Sequence, residues 1–403
     1  MKQEEKDLIY IATCALHGTD PDPTRLIGMD WEAVYARAVH HRMTSIIAFG
    51  LEPVADLLPP EVWKRWKKDE DKMVQRSMLF DMERTRLLNL LEERHIWYVS
   101  LKGIIIKDMY PRYGMREMSD NDFLVDGAGI ETVHELMKNE GYYFKEHEER
   151  QFAVHDAFIK KPIYNFEFHW KLFSSKIFRG KGVEYFDNVK DRLIKKPGKD
   201  YEYYMTPEDC YIYVTAHAAR HYEEKGTGLR TLADEYVYLK HEFPTLGPEG
   251  GTDEKGKECE RYLQTELDKL GLKDFERVLR KLALRVFSGE EEIYDMQFSE
   301  EEETMLSRLL IAGADGDMGV LMDNRMQEFI KDSGSGPFKK FRYAFRRLFP
   351  TMEYMKKQDE YRKILEKRPY LLPAMQLRRL FLGMTKKRKK VRQEFSYLKK
   401  WKK

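Results

Sequence analysis

The sequence predicts an α+β protein, a small mixed β-sheet of a few short strands flanked by helices, between helical N- and C-terminal regions. Three observations carry that reading. Apolar residues recur at helical spacing through residues 1–94 and again beyond 206. Short β-branched and aromatic runs are confined to residues 95–170. Between those runs lie further helical stretches, so strands and helices alternate in a small mixed sheet. The organisation expected is an N-terminal helical region over 1–94, an α+β core over 95–200, a helical domain over 201–332 and a basic helical tail over 337–403.

Taken in order, Asp30 is placed to cap a helix whose stripe takes in Trp31, Val34 and Ala38, with Ile46 and Ile47 further along. A second helix is expected from Gln75 to Arg94, with Met78, Leu79, Met82, Leu87, Leu90 and Leu91 inward. Ile96-Trp97-Tyr98-Val99 reads as a strand, and Leu101-Lys102-Gly103 as a strand end leading into a short helix. Glu117 to Val125 reads as the next strand, broken by Gly127-Ala128-Gly129. Ile130 to Asn139 is a helix with Val133, Leu136 and Met137 inward, stopped at Gly141. Strands from Ala153 to Lys160 and from Ile163 to Trp170 flank a turn at Lys161-Pro162. Thr206-Pro207-Glu208 opens a helix from Asp209 to Glu223, followed by one from Thr231 to Glu242. Thr245 to Glu258 reads as an exposed linker, Leu263 to Phe287 and Glu300 to Ala312 as helices, and Asp332 to Pro337 as a flexible break.

Composition narrows the class. Of 403 residues, 42% are hydrophobic and 35% charged, the balance of a soluble globular chain. No apolar run reaches membrane-spanning length, and the charged start Met1-Lys2-Gln3-Glu4-Glu5 does not resemble a secretory signal. Cys14, Cys210 and Cys259 are scattered, which argues against a zinc or disulfide framework and fits a reducing cytoplasm. The net charge is only +2, yet residues 337–403 hold 23 Lys and Arg against 5 Asp and Glu, so the rest of the chain is strongly acidic. Such a tail either meets an anionic partner (nucleic acid or an anionic membrane) or folds back on the acidic body.

The chemistry gathers around Met118-Ser119-Asp120-Asn121-Asp122. Residues two apart on a strand share a face, so Asp120 and Asp122 project together, with Asn121 opposite. Two close carboxylates resist joint ionisation unless a cation joins them, and Mg²⁺ or Mn²⁺ is held by one or two carboxylates plus substrate phosphates. Lys102 and Arg116 supply positive charge for a triphosphate, and Gly103 lets backbone approach it closely. On a later strand, Glu167 and His169 share a face, and Glu167 is placed to be a third metal ligand or the base for an attacking hydroxyl.

Leu101-Lys102-Gly103, Tyr110-Pro111, Gly114-Met115-Arg116 and Ser119-Asp120-Asn121-Asp122-Phe123-Leu124-Val125 resemble the signature of the uncharacterised bacterial nucleotidyltransferases, in the DNA polymerase β-like superfamily. Glu167-Phe168-His169-Trp170, Thr206-Pro207-Glu208-Asp209, His217 with His221, and Gly228-Leu229-Arg230-Thr231-Leu232-Ala233-Asp234 extend the likeness. The resemblance implies a nucleotidyltransferase-type fold, Mg²⁺ dependence, and transfer of a nucleoside monophosphate from an NTP to an acceptor it leaves unidentified. It assigns Asp120, Asp122 and Glu167 to catalysis and metal, and Lys102, Gly103, Arg116 and Ser119 to the nucleotide. The chain departs from the superfamily at Gly103, followed by Ile104 rather than a small residue, and at Asn121, where a hydrophobic residue is usual.

His217 and His221, four apart on one helical face, have a spacing that can bind zinc, but they also suit core or substrate-facing positions together with His169. Arg230 and Asp234, likewise four apart, read either as a helix ion pair or as contacts to nucleotide or acceptor. His40-His41 and Asp126 read as structural. The run Lys386-Lys387-Arg388-Lys389-Lys390 with Phe395, Tyr397 and Trp401 suits RNA, an anionic membrane, or a solvated helix end. The alternative to an enzyme is therefore a catalytically degenerate binding or scaffold protein that works through this tail.

Overall fold

The computed structural model describes all residues except 146–153, 175–182, 315, 334–337, 357–358, 386–391, 393 and 399–403. Two compact units are present: one made of residues 1–220 and 227–315, the other of 221–226 and 316–403.

In the first unit, α1 (Gln3–His17), α2 (Pro23–Leu26), α3 (Trp31–His41), α4 (Thr44–Leu51) and α5 (Pro60–Glu93) precede the sheet. Asp30 caps α3 as the sequence predicts, accepting from the Ala33 N–H at 3.0 Å. The strands are β1 (Tyr98–Ser100), β2 (Asn121–Val125), β3 (Tyr143–Lys145), β4 (His155–Lys160), β5 (Tyr164–His169), β6 (Ile194–Lys195) and β7 (Glu202–Tyr204). Between them run the single-turn α6 (Gly103–Ile106), α7 (Ile130–Asn139) and α8 (Val183–Asp187). Then follow α9 (Pro207–Glu224), α10 (Leu229–Glu242), the small hairpin β8 (Leu246–Gly247) and β9 (Gly250–Gly251), α11 (Glu254–Leu270), α12 (Lys273–Phe287) and α13 (Glu300–Ala312). The last four residues of α9 belong to the second unit.

The sheet has the order β3-β4-β5-β2-β1-β7-β6. Pairing is parallel between β2 and β5 and between β1 and β7, and antiparallel elsewhere, so the expected mixed sheet flanked by helices is what forms. Its central strands are β5, β2 and β1. On one face Phe123, Val125, Phe158, Phe166 and Phe168 pack against Phe80, Leu87 and Leu91 of α5 and Val133, Leu136 and Met137 of α7. The side chains between them in sequence, Asp122 and Glu167 among them, must point to the opposite face.

The structure corrects several local expectations. The helix expected from Gln75 begins at Pro60, whose ring suits a first helical turn. Its buried positions include Trp66, Glu70, Ser77, Phe80, Leu87 and Leu91, whereas Met78 and Met82 are 54% and 69% exposed. Polar residues occupy inward positions here: Lys67 pairs with Glu70, and Arg84 reaches inward to Asn121. The apolar count is therefore right for Leu87, Leu90 and Leu91 and wrong for Met78, Leu79 and Met82. The strand expected from Glu117 begins only at Asn121, and Asp120 lies in the loop before it. The stretch expected as a linker, Thr245 to Glu258, folds into the β8–β9 hairpin and the first turn of α11. The helix expected over Leu263–Phe287 is two, divided at Gly271, which adopts φ 72°. Strands β3, β6 and β7 are too short to leave a pattern in sequence. Ala153 and the 334–337 break lie outside the described residues.

In the second unit, α14 (Met318–Ser333), α15 (Lys339–Leu348), α16 (Met352–Lys356), α17 (Asp359–Lys367) and α18 (Leu372–Thr385) form a helical group. Its small cores are Met322, Met326, Phe329, Tyr343 and Leu398, and Met355, Tyr361 and Leu365. Glu394 is buried between Arg325 and Arg347, so part of the tail's positive charge is answered internally. The basic run 386–390 and Trp401 lie outside the described residues. No described helix is long and apolar enough to cross a membrane.

Candidate active site

The site lies where β2 and β5 run side by side. Their parallel register sets Asn121 beside Phe166, Asp122 beside Glu167, and Leu124 beside His169. The alternation that turns Phe123, Phe166 and Phe168 into the core turns Asp122, Glu167 and His169 to the other face. Asn121 points to the core side as expected, and its Oδ1 accepts from Arg84 at 3.0 Å.

Asp122 is the hub. Its Oδ1 accepts from Lys102 Nζ at 2.9 Å and lies 2.9 Å from His169 Nε2. Burial pushes its carboxyl up, but the Lys102 charge and the His169 hydrogen bond outweigh it and hold Asp122 well below the usual carboxylate range. Asp120 and Glu167 respond oppositely. Burial, then the neighbouring Asp122 charge, raises Asp120, although Ser119 Oγ donates to it at 3.1 Å. Burial, then Asp122 and Asp120, pushes Glu167 up to about 8. Burial and Lys102 bring His169 down to about 4. The cluster thus holds three carboxylates against one buried ammonium, a set that favours a further cation.

Lys102 has φ 47° and ψ −117°, a conformation that costs a non-glycine residue about 1–3 kcal/mol. The strained position is therefore Lys102 rather than Gly103, and it turns the ammonium onto Asp122. Gly103 has a packing task besides the expected close approach of a phosphate. A Cβ there would stand 2.7 Å from Arg116 Nη1 and 3.2 Å from Met118 Sδ, so the glycine makes room for the guanidinium.

Arg116 differs most from expectation. Its Nε and Nη2 donate to the two oxygens of Asp234 at 2.7 and 2.8 Å, and Tyr110 Oη donates to the same carboxylate at 2.8 Å. All three residues are buried, and Arg116 is committed to α10 rather than presented to a triphosphate. The expected helix ion pair between Arg230 and Asp234 is likewise replaced. Asp234 is taken by Arg116, and Arg230 Nη1 donates to the Glu117 carbonyl at 3.1 Å. Glu117 in turn accepts from the Thr44 N–H and hydroxyl, both at 2.7 Å, which satisfies the N-terminus of α4. The loop that carries Asp120 is so fixed on both sides.

His217 lies on α9 with its Nε2 3.2 Å from an Arg220 nitrogen, an acceptor's geometry, and His221 belongs to the second unit. Neither joins the one metal-capable cluster among the described residues. That cluster contains a residue sequence reasoning missed, His155 on β4. The hairpin register pairs it with His169 because the turn spans three residues, Lys161 to Ile163; a two-residue Lys161-Pro162 turn would have paired it with Phe168.

A mixed sheet with acids gathered on two central parallel strands defines an α+β protein built around a buried acidic cluster. The particular family follows from comparison: residues 28–286 match the family described as uncharacterised nucleotidyltransferase, and the chain belongs to it. The match runs from the turn before α3 almost to the end of α12 and contains the whole cluster. Comparison with curated proteins and with solved structures gave no match.

Proposed function

We propose that the protein transfers a nucleoside monophosphate from an NTP to a hydroxyl acceptor with a divalent cation, Mg²⁺ or Mn²⁺. One observation carries the reading: Asp120, Asp122 and Glu167 stand together on and beside two parallel strands, two of them destabilised as anions by burial and by one another. Carboxylate oxygens are the donors that such hard cations take, so the donor set fits. When bound, the cation supplies charge neutralisation for the triphosphate and lowers the pKa of the attacking hydroxyl.

The chain's own groups do the rest. Lys102 and Ser119 hold phosphate oxygens, and His169 orients Asp122 through their 2.9 Å contact. Glu167, beside Asp122 in the β2–β5 register, is placed to take the acceptor's proton. As the acceptor oxygen bonds to the α-phosphorus, the bond to pyrophosphate breaks and pyrophosphate leaves. Arg116 acts as a positioning residue that fixes Gly103 and the loop before Asp120, with Asp234 as its anchor; Arg230 braces the same loop.

The test is incubation with Mg²⁺ or Mn²⁺, each α-labelled NTP and a cell lysate, using the wild type and Asp120→Ala. Label appearing on an acceptor with the wild type alone is the expected result. Transfer that survives the substitution in a folded variant overturns the site assignment.

A second reading is favoured by the exposed aromatics of α15, Phe341 at 70% and Phe345 at 54%, interleaved with Lys340, Arg342 and Arg346. On that reading the protein binds RNA or an anionic membrane through its tail and catalyses nothing. Calorimetry separates the two: salt-sensitive binding to such a partner without any binding of Mg·NTP would favour it.

A further inference from the structure

The acidic cluster is bordered on its β4 side by imidazoles that a set of three carboxylates does not require. His155 Nε2 lies 3.4 Å from Glu167 Oε2, and His169 Nε2 lies 3.9 Å from the same oxygen. One potential ligand atom from each of the three residues falls within 4.8 Å of the others. A tetrahedral ion with donors at about 2.0–2.1 Å sets its ligands roughly 3.4 Å apart, close to the two spacings at Glu167, while the two imidazoles have to close from within 4.8 Å. The backbone already provides the placement, because the β4–β5 register puts His155 directly opposite His169, with Glu167 two residues along the same face. His169 is buried at 5%, whereas His155 and Glu167 retain 24% and 20% exposure, so the group is anchored inside and open outside.

We propose that His155, Glu167 and His169 form a binding position for a divalent transition metal of the Mn²⁺, Co²⁺ or Zn²⁺ class, beside the Asp120–Asp122 pair. Mg²⁺ takes oxygen ligands almost exclusively, whereas imidazole nitrogen favours first-row transition metals. Two nitrogens and one carboxylate oxygen leave further coordination positions for water or a substrate oxygen, as in sites that do chemistry rather than purely structural ones. His169 Nε2 stands 2.9 Å from Asp122 Oδ1, so ligation of the ion through this nitrogen takes the place of that hydrogen bond, and Asp122 then borders the position from the other side. The ion's use in catalysis rests on the proposed nucleotidyl transfer; its binding does not.

The experiment uses metal-stripped full-length protein without nucleotide. Zn²⁺ and Mn²⁺ are titrated by calorimetry, and bound Mn²⁺ is examined by pulsed electron paramagnetic resonance for coupling to imidazole nitrogen. The wild type is expected to bind one ion with a nitrogen coupling. His155→Gln, folded by circular dichroism, is expected to lose about 100-fold or more in affinity, beyond what loss of an outer partner causes. Unchanged affinity in a folded His155→Gln, or wild-type Mn²⁺ without nitrogen coupling, overturns the proposal. The resonance measurement needs no variant, so it decides even where the substitution prevents folding. A protein that transfers no label yet shows the nitrogen coupling loses the functional reading and keeps this site; the reverse result loses the site alone.

Discussion

Two buried carboxylate assemblies in the first unit draw on the same stretch of chain, residues 102–122, and are built in opposite ways. At Asp234, three donors converge on one carboxylate: Tyr110 Oη, Arg116 Nε and Arg116 Nη2. Burial pushes that carboxyl up, and the Arg116 charge overrules it and holds Asp234 low. At the β2–β5 cluster the ratio is reversed, with Asp120, Asp122 and Glu167 gathered around Lys102. An assembly with donors matched to acceptors is a strut, because nothing remains for a ligand to satisfy. An excess of acceptors keeps a need that only an incoming cation or proton can meet. The contrast separates candidate chemistry from scaffold more sharply than burial, which the two share.

Four substitutions press on this contrast. The largest effect is expected from Asp120→Ala. Loss of the proposed metal ligand forfeits several kcal/mol of transition-state stabilisation, on the order of a 10³-fold drop in label transfer, with little change in the urea midpoint. Next comes Asp234→Asn, which leaves the Arg116 charge buried and uncompensated and is expected to cost about 3–5 kcal/mol of stability by urea unfolding. If Asp234→Asn instead stopped transfer at unchanged stability, the strut would have to be counted as part of the site.

A smaller effect concerns His41, whose side chain is fully buried while its Nδ1 accepts from the Leu229 N–H at 3.2 Å. Burial, then His40, brings it down from 6.5 to about 3. The folded state thus keeps His41 neutral where the unfolded chain binds a proton, so this contribution is whole above pH 6.5 and drains away as pH falls toward 3. Between pH 7.5 and 5 the loss is about 2 kcal/mol, and His41→Leu should flatten the slope of stability against pH by that amount. An unchanged slope would show that His41 is not the group responsible. The smallest effect is Gly103→Ala, where the added methyl meets the far end of the Arg116 side chain, Nη1, at 2.7 Å, at a cost of about 1 kcal/mol, the low end for overpacking. Because it disturbs the strut before the cluster, it should lower stability more than transfer.

Much of the site was legible because its parts are local. The Asp-x-Asp pair, Asn121 on the opposite face, and the hairpin carrying Glu167 and His169 follow from two-residue alternation and one turn signal. The Asp30 cap and the helices starting near Pro207 and Leu229 were equally plain. What escaped depends on distant partners. Arg116 looks like a phosphate ligand until Asp234, more than a hundred residues later, is found beside it. The inward face of the earlier part of α5 escaped because Glu70 and Arg84 occupy inward positions, each with a partner that helical spacing cannot reveal. Strands β6 and β7 contribute two and three residues, too few to show a period. His155 escaped because its pairing with His169 depends on a three-residue turn, Lys161 to Ile163, where the sequence signals only Lys161-Pro162.

The loop before β2 is held by its main chain. Arg230 takes the Glu117 carbonyl at 3.1 Å, and Arg76 takes those of Met118 and Ser119 at 2.9 and 3.4 Å. Three successive peptide oxygens are thus gripped, and none of these grips involves the side chains of residues 118–120. Such a loop behaves like a jig: the tool it holds can be exchanged without recutting the holder. If the proposed function holds, side chains at Ser119 and Asp120 are the places to redesign cation or phosphate preference, because their replacements inherit a backbone path fixed from elsewhere.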